Sequence, residues 1–523
     1  MQRTSLTIID ANVITLDPKQ PRTQAIAVEN GKIVAVGSNN HVLKAADSGT
    51  RIVDARGKTV VPGLVDCHVH MTHVGLLLQR LDLTDATSIK DIQHMLADYR
   101  KRHKSQKWIL GDRWDQERLQ DKRLPNRWDI DAAVPDTPVF LVRTCGHIGV
   151  ANSQALKLTE ITGETKLQGG KVDVDEKTGQ PTGVLRENCM ELVWKAVPKP
   201  GAKQLQEACR LACKKAVEAG LTCVHWLVTS TDEIQAIRKL DSEGQLPIRV
   251  VLGISPECIE EASALHLLED SASGMVKTGF VKLMADGSLG ARTAALAEPY
   301  SDCPETSGMM LYTEQELRRL VKKAHCEGRQ LAIHAIGDRA VDAVLAAIEN
   351  VLKRFPRKDH RHRIEHCSVL NPDLVGRMKR LGTIASIQPH FVVSDFWVED
   401  RLGAERARYV YPFRAFVDAG VPVVSGSDCP VENISPLLGI WAGTSRQDKP
   451  EERLSAEELL RSYTVNAAYA SFEEKEKGTI AVGKCADFTV LSDDPTKDPP
   501  EAIRDIKVET VIVDGKIVHS RKG

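Results

Sequence analysis

The chain has 523 residues, 42% hydrophobic and 27% charged, and its 70 basic and 71 acidic side chains leave a formal charge of -1. No block of either sign stands out, which argues against nucleic acid or an anionic membrane as partner. No apolar run reaches the roughly 18 residues of a membrane span, and Met1 to Asp10 lack an apolar h-region and a small-residue cleavage site, so a cytoplasmic protein is expected.

Length alone suggests two to four domains, although α/β barrels commonly exceed about 250 residues as one unit. The 12 cysteines are scattered without a CxxC pair, only Cys209 and Cys213 lying close together, and read as reduced, mostly buried thiols.

In chain order, short β-type runs come first, at 6–9, 25–29, 32–36 and 51–54, with Asn30-Gly31 as a type I′ hairpin signal. The tail repeats the style at 478–482, 487–491 and 508–518. There Asp514-Gly515 is the turn, and Gly515-Lys516-Ile517-Val518 echoes Gly31-Lys32-Ile33-Val34. The two ends, 1–59 and 472–523, are therefore expected to form one split β-sandwich. Residues 478–484 spell G-x-x-x-x-G-K, but Cys485 follows where a phosphate loop needs Ser or Thr, and no apolar helix comes after it.

The run Val60-Val61-Pro62-Gly63-Leu64-Val65-Asp66-Cys67-His68-Val69-His70 reads as a buried strand with two imidazoles at its carboxyl end. Spaced i, i+2, they project from one side and form half of a chelate. Taken alone, the pair reads rather as two partly exposed loop histidines, since the pattern is short and common by chance. An insertion over 75–200 then carries four of the seven tryptophans, and is expected to be a cap over a barrel mouth rather than a solubilising surface insertion.

Seven further apolar runs follow at 221–228, 248–253, 280–285, 330–335, 363–367, 384–388 and 421–425. Helix-period segments such as 204–219, 314–327 and 340–353 lie between many of them, with Gly220, Gly328 and Gly420 in stop positions. Eight strands alternating with helices predict an α/β fold, a (β/α)8 TIM-type barrel over 60–74 and 201–471, with its chemistry at the strands' carboxyl ends. At those ends stand His68, His70, Lys282, His334, His366 and Asp428. Each has a dull explanation as a rim or core residue, but six of the right chemical type at six such positions form a constellation. His225 and His390 also lie near strand ends, where a core or rim role is expected.

These residues resemble the amidohydrolase superfamily, and more narrowly its YtcJ-like branch, amidohydrolase family 3, which includes N-substituted formamide deformylases. The narrower motifs are Leu124-Pro125-Asn126-Arg127, Gly146-His147 with Asn152-Ser153, Gly183-Val184-Leu185-Arg186-Glu187, and Asp286-Gly287-Ser288-Leu289-Gly290-Ala291-Arg292-Thr293. The resemblance implies that His68, His70 and Asp428 hold one divalent metal and His334 and His366 a second, zinc by default, with Lys282 carboxylated as the bridging ligand. Its implied activity is hydrolysis of a non-peptide C-N bond (amide, formamide or cyclic amide) by metal-activated hydroxide, with Asp428 as catalytic general base.

Substrate contacts are assigned on the same resemblance to His147, Trp114 and Arg292, and Asp338 is a further candidate. Glu365, Asp338 and Asp286 either orient ligands or cap helices. The competing functions are an aminohydrolase (deaminase) on the same scaffold and a non-catalytic scaffold protein. The expected partner is a small-molecule substrate, with no nucleic acid and no membrane; a homodimer and the choice between one and two ions are left open.

Overall fold

The computed structural model describes residues 5–521 apart from 45, 47, 48, 105, 145 and 168, so the extreme ends of the expected β-sandwich, 1–4 and 522–523, lie outside the described residues. The chain forms two compact units, Met1–Val74 with Cys209–Gly523, and Gly75–Ala208.

The first unit contains eight parallel strands in chain order: β1 (Leu64–Val69), β2 (Leu221–Val228), β3 (Arg249–Ile254), β4 (Val276–Met284), β5 (Gln330–Ala335), β6 (Arg363–His366), β7 (Ile384–Ile387) and β8 (Val423–Ser425). Each pairs with the next, and the segment after β8 returns to β1: the Asp428 N–H donates to the His68 carbonyl at 2.7 Å and the Ser427 N–H to the Asp66 carboxylate at 3.0 Å. The result is a nearly closed TIM-type barrel. Side-chain parity fills its interior, where Val65, Val251, Phe280, Ala332, Ile384 and Val424 share one apolar cluster.

The helices between strands end and begin as their sequences dictate. Gly220, Gly328 and Gly420 all adopt positive φ, at 94°, 76° and 72°, which an L side chain resists. Thr313 and Glu316 form a reciprocal capping box at the start of helix Glu314–Cys326.

The run 60–70 is not one strand. Thr59–Pro62 pairs with Phe488–Leu491 and Asn12–Ile14 in a terminal sheet, whereas Leu64–Val69 is β1. Proline ends the first element, and at Gly63 a Cβ would lie 2.2 Å from the Thr222 hydroxyl, so only glycine passes there. The barrel therefore starts at Leu64 rather than Val60. Strands from both chain ends share the six-stranded terminal sheet, ordered 516–520, 508–513, 488–491, 59–62, 12–14 and 22–23. A four-stranded sheet of 32–37, 25–29, 5–9 and 51–54 contributes Leu6, Ile8, Ile26 and Ile33 to the same core as Val60, Phe488 and Ile512.

The second unit is built on a six-stranded mixed sheet, ordered 170–174, 181–187, 148–151, 139–143, 109–114 and 81–82. It has two apolar cores, one around Ile92, Leu96, Ile109 and Leu141, the other around Phe140, Leu185 and Val193. Among the described residues no helix is long and apolar enough to cross a membrane.

A buried histidine trio lies at the amino ends of β5 and β6. His325 Nε2 contacts the Phe355 carbonyl at 2.8 Å, His325 Nδ1 contacts His362 Nε2 at 2.8 Å, and His362 Nδ1 accepts the Leu331 N–H at 3.1 Å. His360 accepts the His362 N–H and contacts the Leu381 carbonyl through Nε2. Every contact is satisfied by neutral rings with fixed tautomers, and burial holds His362 well below, and His360 below, the usual histidine value. The unfolded chain therefore takes up protons first. Stability is full above pH about 6.5 and is expected to fall below it, by about 1.4 kcal/mol per pH unit for each of His360 and His362. Chemical denaturation at pH 7.5 and 5.5 measures this, and His362→Gln should flatten the slope.

Candidate metal centre

The carboxyl end of β1 is irregular. Asp66 and Val69 lie opposite Val224 and Trp226, so β1 carries one extra residue around His68. Such a bulge re-aims side chains at a barrel rim. Asp66 fixes the irregularity by accepting the His68 and Ser427 N–H groups and the Ser427 hydroxyl, the last at 2.5 Å. Burial pushes its carboxyl up to about 6 against those hydrogen bonds.

His68 Nδ1 lies 2.5 Å from Glu365 Oε2, which also accepts the Ser386 hydroxyl, so His68 donates from Nδ1 and turns Nε2 toward the mouth. His68 Nε2 and His70 Nε2 lie 3.3 and 3.2 Å from Asp428 Oδ1, and one ligand atom from each of the three residues falls within 4.8 Å of the others. The backbone holds this under strain, since His366 and Asp428 adopt left-handed φ of 72° and 57°.

His366 joins the group through its rings. Its centroid is 4.9 Å from His68 and 4.4 Å from His334. Burial, reinforced by His334 and His68, drives His366 well below the usual histidine value, so it is a neutral donor at physiological pH. His334 Nε2 lies 2.9 Å from the Gly287 carbonyl, which makes Nε2 the donor and leaves Nδ1 with its lone pair free.

Lys282 is buried, with Nζ lacking any hydrogen-bond partner among the described residues, and His366 Nδ1 is likewise orphaned. An ordinary lysine here would pair with Asp286 or Asp428, and among the described residues it pairs with neither: Asp286 is taken by the N–H groups of Ala295, Ile336 and Gly337, and Asp428 faces His68 and His70. Burial lowers the Lys282 ammonium to about 8, although Glu365 and Asp428 pull the other way. Unpaired buried nitrogen beside a converging His/His/Asp set fits a divalent cation and its ligands.

Asp428 is ionised. Burial opposes its charge, but His68, by charge and hydrogen bond, and His70, by hydrogen bond, prevail and hold the carboxyl well below its usual value. Glu365 is held down in the same sense, by Arg363 and then His68 against burial.

The remaining sequence candidates separate. Glu365 orients a ligand. Asp286 ties the segments after β4 and β5 together beside His334, 3.4 Å from Nε2. Asp338 begins a helix and accepts the Ala297 and Arg339 N–H groups through Oδ1, which makes it a loop clamp. Arg292 donates to Asp302, which also binds Arg401, joining the excursions after β4 and β7. His147, in the second unit, is exposed and paired with Glu187 at 2.9 Å.

Trp114 is a correction. It is fully buried in the core of the second unit, and its indole N–H donates to the Leu141 carbonyl at 3.0 Å, so it presents no surface to a substrate. Trp114→Ala is expected to destabilise that unit by about 3–5 kcal/mol, read by denaturant unfolding.

Sequence reasoning missed Arg363, Ser386 and Asp66. Arg363 is fully buried and donates to Glu365 Oε1 at 2.8 Å and to the Cys67 carbonyl at 2.7 Å, and contacts His225 Nδ1 at 2.8 Å. Period-two parity was the available signal, since Arg363 shares the inward parity of Glu365 and Ser386 that of Ile384.

A barrel with histidines, an aspartate and a desolvated lysine at its strand ends defines the class of metal-dependent hydrolases built on this fold. The amidohydrolase family model matches residues 51–519. The YtcJ protein of Bacillus subtilis (strain 168) is 33% identical over 97% of this chain and 98% of its own length, and the N-substituted formamide deformylase of Arthrobacter pascens is 28% identical over 100% and 99%. The crystal structure of an uncharacterized metal-dependent hydrolase from Pyrococcus furiosus superposes with a TM-score of 0.82 at 31% identity, covering 94% of this chain and 100% of that one. This chain belongs to the amidohydrolase family, in its YtcJ-like branch, and is a hydrolase by that membership.

Proposed function

We propose that the protein hydrolyses a non-peptide C-N bond, in an amide, formamide or cyclic amide, at a metal centre of one or two divalent ions, zinc by default. The observation that carries this reading is the convergence of His68, His70 and Asp428 beside the orphaned Lys282 and His366. The formamide deformylase among its relatives supports the bond type. His68, His70 and Asp428 would hold one ion and His334 and His366 a second. A divalent cation there supplies Lewis acidity to the substrate carbonyl and eases the ionisation of water.

The chain's own residues do the rest. Asp428, ionised at neutral pH, takes the proton of the attacking water and returns it to the leaving nitrogen. Glu365 fixes the His68 tautomer, and Asp66 holds the segment carrying Asp428 against β1. Lys282, eased into its neutral form by burial, adds through Nζ to carbon dioxide and releases a proton. The resulting carbamate anion replaces an unpaired ammonium with two oxygen donors. Partial rescue of Lys282→Ala by short carboxylates is the expected signature.

A panel of N-formyl, N-acyl and cyclic amides, assayed with and without chelator and zinc, tests the function. Hydrolysis of at least one member, lost on chelation and restored by metal, is expected. Full activity in a metal-free preparation, or deamination in place of amide cleavage, would overturn it.

A further inference from the structure

The mouth of the barrel holds one more buried polar atom without a partner, and it is not on a ligand candidate. Gln388 directly follows β7 and continues the inward parity of Ile384 and Ser386, whose side chains lie in the apolar interior and against Glu365. It is 2% exposed. Its Nε2 donates to the Ser386 carbonyl at 3.3 Å, and because a carbonyl only accepts, that contact fixes which end of the amide is which. Oε1 is then the free atom, and it is buried with no hydrogen-bond partner among the described residues. A buried acceptor left unpaired costs about 1–3 kcal/mol, which a bound donor recovers.

Its position says what that donor belongs to. In the barrel β7 lies between β6, which ends in His366, and β8, which leads to Asp428. Just after Gln388, His390 Nδ1 is held 2.5 Å from Glu432 Oε2, and the Phe391 ring lies 6.3 Å from that of His366 at only 27°. We propose that Gln388 is a substrate-binding residue that accepts the N–H of a secondary amide, with Phe391 as the platform for a flat apolar substituent. The inference rests on the C-N hydrolase reading and narrows it. An amide with an N–H satisfies Oε1, whereas an N,N-disubstituted amide leaves it buried and unpaired, and a site built for a hydrogen bond rejects analogues lacking it.

The test compares acetanilide with N-methylacetanilide on the zinc-loaded holoenzyme, by hydrolysis and by calorimetric binding, for wild type, Gln388→Leu and Gln388→Glu. The intrinsic reactivity difference between the probes cancels when their ratio is compared across variants. Expected are a wild-type preference for acetanilide, its reduction by about 30-fold or more in Gln388→Leu at wild-type metal content, and its retention in Gln388→Glu, which keeps an acceptor. An unchanged ratio in Gln388→Leu overturns the proposal, as does a wild type that cleaves amides without any N–H preference. A wild type that binds and cleaves neither probe nor any member of the amide panel strikes the C-N reading and this inference with it; cleavage of other amides without N–H preference strikes the inference alone.

Discussion

Asp428→Asn is expected to lower kcat by about 10²–10⁴-fold while the chain stays folded and keeps much of its metal. The amide retains an oxygen that can coordinate, but at neutral pH it takes up no proton. The wild-type carboxyl is available for this work because His68 and His70 outweigh burial and keep it ionised at neutral pH. The sign follows from its depressed value: the stability contributed by the ionised form is fully present above the unfolded carboxyl value of about 4, and is lost only as pH falls through the lower folded one. Asp428→Asn should remove that acid-side dependence along with turnover. Near-normal turnover in this variant would move the base elsewhere, with Glu365 next in line.

The second large effect is on stability. Arg363→Met is expected to cost about 3–5 kcal/mol, because it strands the Glu365 carboxylate inside the barrel without its cation. Both side chains are almost wholly buried, 0% and 1% exposed, and the guanidinium also holds the Cys67 carbonyl and the Ser386 hydroxyl. Since Glu365 in turn orients His68, metal affinity should fall by about 10–100-fold. Denaturant unfolding of Arg363→Met, Glu365→Gln and the double variant separates the two consequences. The double variant should recover stability relative to Arg363→Met, since no charge is left stranded, without recovering metal affinity. Additive losses would show that the pair is not coupled.

Much of the barrel was legible because buried parallel strands read as short apolar runs, and the seven runs from 221 to 425 fall on β2 to β8 with small shifts at their ends. The first run misled because Val60 and Val65 are equally apolar, and nothing local says that one pairs with Val490 and the other with Cys223. The ligand candidates were legible through their chemical type and their position at strand ends. Their supports were less so: parity puts Arg363 on the same face of β6 as Glu365, but nothing local says that the two pair, or that the Asp66 carboxylate meets Ser427, 361 positions further on. Trp114 failed for a related reason. An aromatic in an insertion looks available to a substrate until the insertion proves to have a core of its own.

His68, His70, Lys282, His334, His366 and Asp428 are expected to act as one metal centre. Metal content per chain, measured by elemental analysis on wild type, His68→Ala and His366→Ala after equilibration with zinc and removal of free ion, tests it most directly. Expected are one or two ions per wild-type chain, loss of at least one in each variant, and wild-type far-UV dichroism throughout. Wild-type metal content in both variants, or a wild type that retains none, would contradict it.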